Sequence, residues 1–294
     1  MQDFDYAAPQ SLDEAVALAA GGGSVAVLAG GTDLIVQLRV RRRAASLVID
    51  AKRIPELTQL AFSHEGLNLG AAVTCRTIGQ HPEAARRYPA LADSVSLVGG
   101  VQIQGRASVG GNLCNAAPSA DCIPALIVLN ADAIIAGPFG RRELKVEEFC
   151  LSPGITALRP GEILVALRFR PPAANAGSSY MRFTPRKEMD IAVAGAAAAV
   201  VLDESRERIL SARVALAAVA PTPLLVEAAD SVLAGRTASD ESAVREAAAI
   251  ARDACSPIND MRGTSEHRRQ LVEVLTVRAL HKAIERARNG TNHA

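Results

Sequence analysis

Residues 98–121 read VGGVQIQGRASVGGNLCNAAPSAD. Inside this stretch Ser108-Val109-Gly110-Gly111-Asn112 reads as a tight glycine turn with polar flanks, and Asp121 follows nine residues past Asn112. Glycine lets a backbone turn sharply and come close to a phosphate. Working outward, an upstream stretch has a similar character. Ser24 to Ala29 (SVAVLA) is a short buried strand, Ala29-Gly30-Gly31-Thr32-Asp33-Leu34 turns the chain, and a helix runs on through about Val40. Strand, glycine turn, helix is an anion-binding geometry, because the first helical amides point outward unsatisfied. Thr32 supplies a hydroxyl, and Asp33 either caps the helix or binds a sugar hydroxyl. Two such turns in different segments imply a clamp on one diphosphate.

The flanking pattern sets the organisation. Ser11 to Ala20 is a capped helix, with Ser11 at the N-cap and Glu14 three residues on. With strands at 24–29 and 46–50 it gives an α-β-α-β order that favours a small parallel sheet. From 61 to 175 the chain reads as a strand at 66–73, helices at 77–87 and 91–99, a buried helix at 124–130, and strands starting at 131 and spanning 161–170. Pro171-Pro172 with Ala173 to Ser179 reads as a linker. Beyond it, Ile191 to Leu202 and Ile209 to Val219 form an antiparallel hairpin. Helices follow at 223–234, 240–255 and 265–288.

Composition removes several functions. Lys plus Arg total 32 against 31 acidic residues, so the chain lacks the positive surface of a nucleic-acid binder. The longest apolar run, Ile191 to Leu202, is too short to span a bilayer. MQDFDYAAPQ at the start has neither the basic nor the apolar region of a signal peptide. Five scattered cysteines without a C-x-x-C fit a reducing cytoplasm and offer no metal cluster. Asp50 lies twenty residues after Gly30, as the ribose-binding acid of a dinucleotide fold would, but the G-x-G-x-x-G fingerprint is absent. The histidines, at 64, 81, 267, 281 and 293, flank neither glycine stretch and pair with no ligand at metal spacing. No nucleophile–base constellation is legible, so no catalytic residue is assigned. Arg39, Arg41, Arg42 and Arg43 form a basic run that complements a helix C-terminus; its functional reading is a docking surface for an acidic partner or a lure for an anionic acceptor.

Four ordered stretches carry a family resemblance over essentially the whole chain: AGGTDL (29–34), QIQGRASVGGNLCNAAPSAD (102–121), RKEMDIA (186–192) and SPINDMRGTSEHRR (256–269). They resemble the FAD-binding medium subunit of the molybdenum hydroxylases, the xanthine dehydrogenase and carbon monoxide dehydrogenase type. The resemblance implies an α+β fold with a two-subdomain FAD-binding domain of the vanillyl-alcohol-oxidase/PCMH type over 1–175 (subdomains about 1–60 and 61–175). A C-terminal antiparallel sheet with a helical bundle then occupies 176–294. It implies FAD, expected to be non-covalent because no histidine flanks either glycine stretch, with Leu28, Ala29, Gly30, Gly31, Thr32, Asp33 and Leu34 on the diphosphate and neighbouring sugar. Ser108, Val109, Gly110, Gly111 and Asn112 approach from the second segment. Asp121 serves the adenosine side and Leu164 packs near the adenine. Val98, Lys187, Ile191 and Arg182, the last standing where Lys is common, lie near the flavin ring.

The resemblance further implies an electron-transfer subunit of a cytoplasmic enzyme. A small subunit with [2Fe–2S] clusters feeds this chain, a large subunit carries the molybdenum cofactor, and the whole is a dimer of heterotrimers, a heterohexamer. An external acceptor receives the electrons. In NAD-reducing relatives the loop corresponding to Arg186–Ala192 is acidic; here Met189 interrupts the acidic run. The alternative is a stand-alone FAD oxidase of the vanillyl-alcohol-oxidase type. A subunit that has lost flavin is a third reading.

Overall fold

The computed structural model describes residues 3–290, so His293 and the first two residues of the N-terminal reading fall outside it. Near the N-terminus lies a three-stranded parallel sheet of β1 (Asp5–Ala7), β2 (Val25–Leu28) and β3 (Leu47–Asp50), in the order β1-β3-β2. Helix α1 (Leu12–Ala20) joins β1 to β2 and α2 (Leu34–Arg39) joins β2 to β3. Ser11 caps α1 through the Glu14 N–H, while the Glu14 carboxylate accepts the Gln10 N–H, so both partners of the expected capping pair are used. Ala26 and Val48 pack on Leu34 and Leu38 of α2, whereas Ile49 packs on Leu12 and Ala15 of α1.

A short helix α3 (Pro55–Thr58) leads into a second sheet. It contains β4 (Leu60–Ser63), β5 (Gly66–Gly70), β6 (Asp132–Gly137), β7 (Gly140–Lys145) and β10 (Ile163–Phe169), ordered β4-β5-β10-β6-β7 and antiparallel throughout. A small hairpin of β8 (Cys150–Ser152) and β9 (Ile155–Thr156) precedes β10. Between β5 and β6 run α4 (Cys75–Gly79), α5 (Pro82–Arg87), α6 (Pro89–Leu97), α7 (Val101–Gln104), α8 (Val109–Asn115) and α9 (Cys122–Val128). The single helix expected over 77–87 is broken at His81-Pro82, because the residue before proline is driven out of the helical region.

The C-terminal sheet is β11 (Ala176–Phe183), β12 (Ala194–Leu202), β13 (Ile209–Ala217) and β14 (Leu224–Leu225), antiparallel in sequence order. Helices α10 (Ala228–Leu233), α11 (Glu241–Ala254) and α12 (Ser265–Asn289) follow. The expected hairpin is β12–β13. Two expectations fail. Residues 176–179, read as linker, begin β11, and the helix expected from Pro223 is a two-residue strand followed by a short α10. Both faces of this sheet are buried. Ala194, Ala196, Ala198 and Val200 join the core with α11 and α12, while Ala197, Ala215 and Tyr180 join the core of the middle of the chain. A strand covered on both sides reads as a continuous apolar run, which explains AGAAAAVVL. Small side chains let α12 lie close: a Cβ on Gly177 would fall 2.1 Å from the Ala283 carbonyl oxygen.

Candidate functional site

The glycine stretches meet across a trough between the parallel sheet and α8. Its larger compartment, about 1080 Å³, is bounded by Val25 and Val27 of β2, by Gly110 and Gly111, and by the loop leading to Leu164. A smaller one, about 90 Å³, is lined by Ala29 through Leu34, Val98, Ser108 and Asn112. Both compartments include Ala29, Gln37, Arg43, Gly111, Cys114 and Asn115, so they adjoin.

At Gly30 the two sides touch backbone to backbone. A Cβ there would lie 2.0 Å from the Arg106 carbonyl oxygen, and Arg106 Nε donates to the Gly30 carbonyl at 3.4 Å. Gly31 has φ +78, which only glycine adopts without strain. The first turn is therefore as the sequence suggests. The second stretch is different. Ser108 to Asn112 is no tight turn but the N-cap and first turn of α8. Ser108 Oγ accepts the Gly111 N–H at 3.0 Å, and Asn112 Oδ1 accepts the Cys122 N–H at 3.2 Å. Both side chains are thus used in holding α8, leaving the backbone and Gly111 to face the trough. Gly110 is required by packing, since its Cβ would lie 2.4 Å from the Ala71 carbonyl oxygen. Val109 is buried beneath the helix. Leu28 packs under the first turn, with a methyl 2.9 Å from where a Cβ of Gly31 would sit.

Leu164, 3 % exposed, lines the larger compartment, and Val98 the smaller. Asp33 also lies in the smaller one, where its surroundings raise the carboxyl pKa by desolvation. Asp121 and Arg182 line neither compartment. Asp121 Oδ1 accepts from the Tyr180 hydroxyl at 2.8 Å, and Oδ2 pairs with Arg182 at 2.5 Å. Burial pushes the Asp121 carboxyl up to about 6, against the opposing pull of Arg182 and Tyr180. The sequence reading put Asp121 at the adenosine side and Arg182 at the flavin ring. Those are opposite ends of FAD, and the ion pair joins the two residues at one place, so the assignments exclude each other.

Lys187 and Ile191 are exposed on the loop after β11. Asp190 braces that loop by accepting the N–H groups of Arg186 (3.1 Å) and Ile191 (2.9 Å), which help hold its carboxyl below the usual range. Met189, at φ +54, donates its N–H to the Gly99 carbonyl at 3.2 Å. The loop thus leans on the residues next to Val98. Gln37 was missed by the sequence reading. Its Nε2 donates to Asn115 Oδ1 at 2.8 Å, tying α2 to the end of α8 across the trough. Its only signal is a position one turn into the cofactor helix.

The whole chain can be set beside known proteins on this geometry. Residues 2–172 match the model of the FAD binding domain in molybdopterin dehydrogenase. The chain belongs to that family. Residues 179–283 of this flavoprotein match the CO dehydrogenase flavoprotein C-terminal domain. It is 34 % identical to the carbon monoxide dehydrogenase medium chain of Hydrogenophaga pseudoflava, over 95 % of this chain and 96 % of that one. It is 30 % identical to the putative xanthine dehydrogenase FAD-binding subunit of Escherichia coli, over 97 % and 98 %. The solved carbon monoxide dehydrogenase of Hydrogenophaga pseudoflava superposes with a TM-score of 0.91 at 31 % identity, covering 96 % of this chain and 97 % of the other. Quinoline 2-oxidoreductase from Pseudomonas putida gives 0.89 at 29 %, covering 97 % and 98 %. The flavoprotein is thus an oxidoreductase component with FAD as its cofactor. Its residues fit that group: a long trough, a glycine cradle closed by Arg106, and aliphatic walls. Among the described residues no helix is long and apolar enough to cross a membrane.

Proposed function

We propose that this flavoprotein is the electron-transferring medium subunit of a three-component molybdenum hydroxylase. It takes electrons from [2Fe–2S] clusters on a small subunit and passes them to an external acceptor, while a large subunit with the molybdenum cofactor oxidises the organic substrate. The assembly is a dimer of heterotrimers in the cytoplasm. The chain divides into a FAD-binding part, 1–175, and a C-terminal part, 176–294. The observation that carries the reading is the convergence of Gly30-Gly31 and Gly111 on one trough. FAD, when bound, would collect electrons one at a time from the [2Fe–2S] clusters and hand them on singly or in pairs to the acceptor.

The chain's own residues position the cofactor and keep water from it. The peptide groups at Ala29–Leu34 and Gly111 border the space for the diphosphate, Leu164 packs by the adenine, and Val98 offers an aliphatic surface to the ring. The loop of Lys187 and Ile191 covers the Val98 side. The substrate belongs to the large subunit, and relatives of nearly equal identity carry names as different as carbon monoxide dehydrogenase and caffeine dehydrogenase.

The test is anaerobic reduction of the flavin, followed at its visible absorbance, across a panel of organic substrates. The account expects bleaching only when the iron–sulfur and molybdenum subunits are present. Substrate-dependent bleaching by the isolated chain would instead establish a self-sufficient oxidase.

A further inference from the structure

We infer that Arg43 is the countercharge of the FAD diphosphate, at the place where the trough's two compartments adjoin; this rests on the FAD reading just given. Of the four arginines at the end of α2 and just after it, Arg42 borders only the larger compartment, Arg39 and Arg41 border neither, and Arg43 borders both. Among the described lining residues of the smaller compartment, Arg43 is the one cation, and Asp33 is the one anion. A diphosphate seated between Gly30-Gly31 and Gly111 brings two negative charges beside that carboxylate. Backbone amides carry only partial charges, and a full positive charge beside them offsets what they leave uncompensated.

Arg43 is exposed, and three further observations tie its segment to the trough. The Arg42 and Arg43 N–H groups both donate to the Gln37 carbonyl, at 2.9 and 3.4 Å, which folds the run back over the end of α2. The Gln37 side chain is the one that reaches Asn115 across the trough. The charge of Arg43 is also felt at the Cys114 thiol on α8, where it opposes the effect of burial. Arg43 therefore comes from one wall and acts on the other. The basic run, read from sequence as a docking patch, contributes at least this residue to the cofactor site.

The experiment titrates FAD into the flavin-stripped full chain and reads flavin fluorescence, at low and at high potassium chloride. Arg43→Gln should weaken FAD binding by about fivefold at low salt, the scale of one charge-assisted contact at an open surface. The deficit should shrink at high salt, which screens exposed charges. Arg43→Lys should recover most of the affinity, and Arg39→Gln should match the parent. Equal FAD affinity in Arg43→Gln and the parent would overturn the assignment, as would an equal loss in Arg39→Gln. A parent chain that binds no FAD would overturn the functional reading itself, and this inference with it.

Discussion

Asp121 sits under two opposing influences. Burial disfavours its charge, while Arg182 at 2.5 Å and the Tyr180 hydroxyl at 2.8 Å favour it, and burial wins, with the carboxyl at about 6. An unfolded Asp titrates near 3.9. The folded state therefore holds the proton more tightly, and its stability from this group is full below about pH 4 and falls as pH rises towards 6. The loss amounts to about 3 kcal/mol in all, of which about 2 kcal/mol falls between pH 4 and 6. Asp121→Asn cannot titrate, so its urea midpoint should lack this component of the slope. Identical pH profiles for parent and variant between pH 4 and 6 would contradict the account. None of this is legible in the sequence, because the pairing spans 59 residues to Tyr180 and 61 to Arg182. By contrast Gly31 is legible, since its φ of +78 is demanded by a local turn.

At the scale of elements, the two glycine stretches look alike as letters and differ in structure. The first is a turn that brings β2 against Arg106; the second is a capped helix start that brings α8 against Ala71. A Cβ on Gly110 meets the backbone of Ala71, which cannot rotate away, so Gly110→Ala should cost about 1–3 kcal/mol of stability. The cost should be the same in flavin-stripped chain, as measured by urea unfolding. A Cβ on Gly111 meets only Ser108 Oγ at 2.9 Å, a side chain that can turn. Gly111→Ala should cost at most the cap, about 1 kcal/mol. Equal losses in the two variants would refute the distinction.

Elements with local signals were readable: α1 from Ser11 and Glu14, the β12–β13 hairpin from two apolar runs around a polar turn, α12 from its long amphipathic repeat. Strand β11 was not, because Gly177, Ser178 and Ser179 look like loop residues. Their place in the core comes from α12, through the Ser179 hydroxyl donating to Ala279 and the close approach of Gly177 to Ala283.

Over the described residues, the three larger sheets are joined by shared cores and by a few long-range polar contacts. Arg286 on α12 grips Asp93 on α6 through two bonds, at 2.6 and 2.9 Å, across 193 residues. Arg213 on β13 pairs with Glu147 at 2.7 Å. These fix the C-terminal sheet against the middle of the chain, and the loop after β11 then reaches Gly99 beside the trough. The parallel sheet meets the middle at Gly30 and through Gln37–Asn115. The cofactor site is thus made where pieces of chain distant in sequence meet, which is why its residue types were legible while its shape, and the part of Arg43, were not.

If the trough holds FAD without a covalent bond, heat denaturation frees the flavin. The purified chain is denatured, the precipitate removed, and the flavin in the supernatant identified and counted by chromatography. The account predicts FAD in the supernatant, equimolar with the chain, and a colourless pellet. Flavin retained in the pellet, or a chain that neither carries FAD nor regains it on reconstitution, would contradict it.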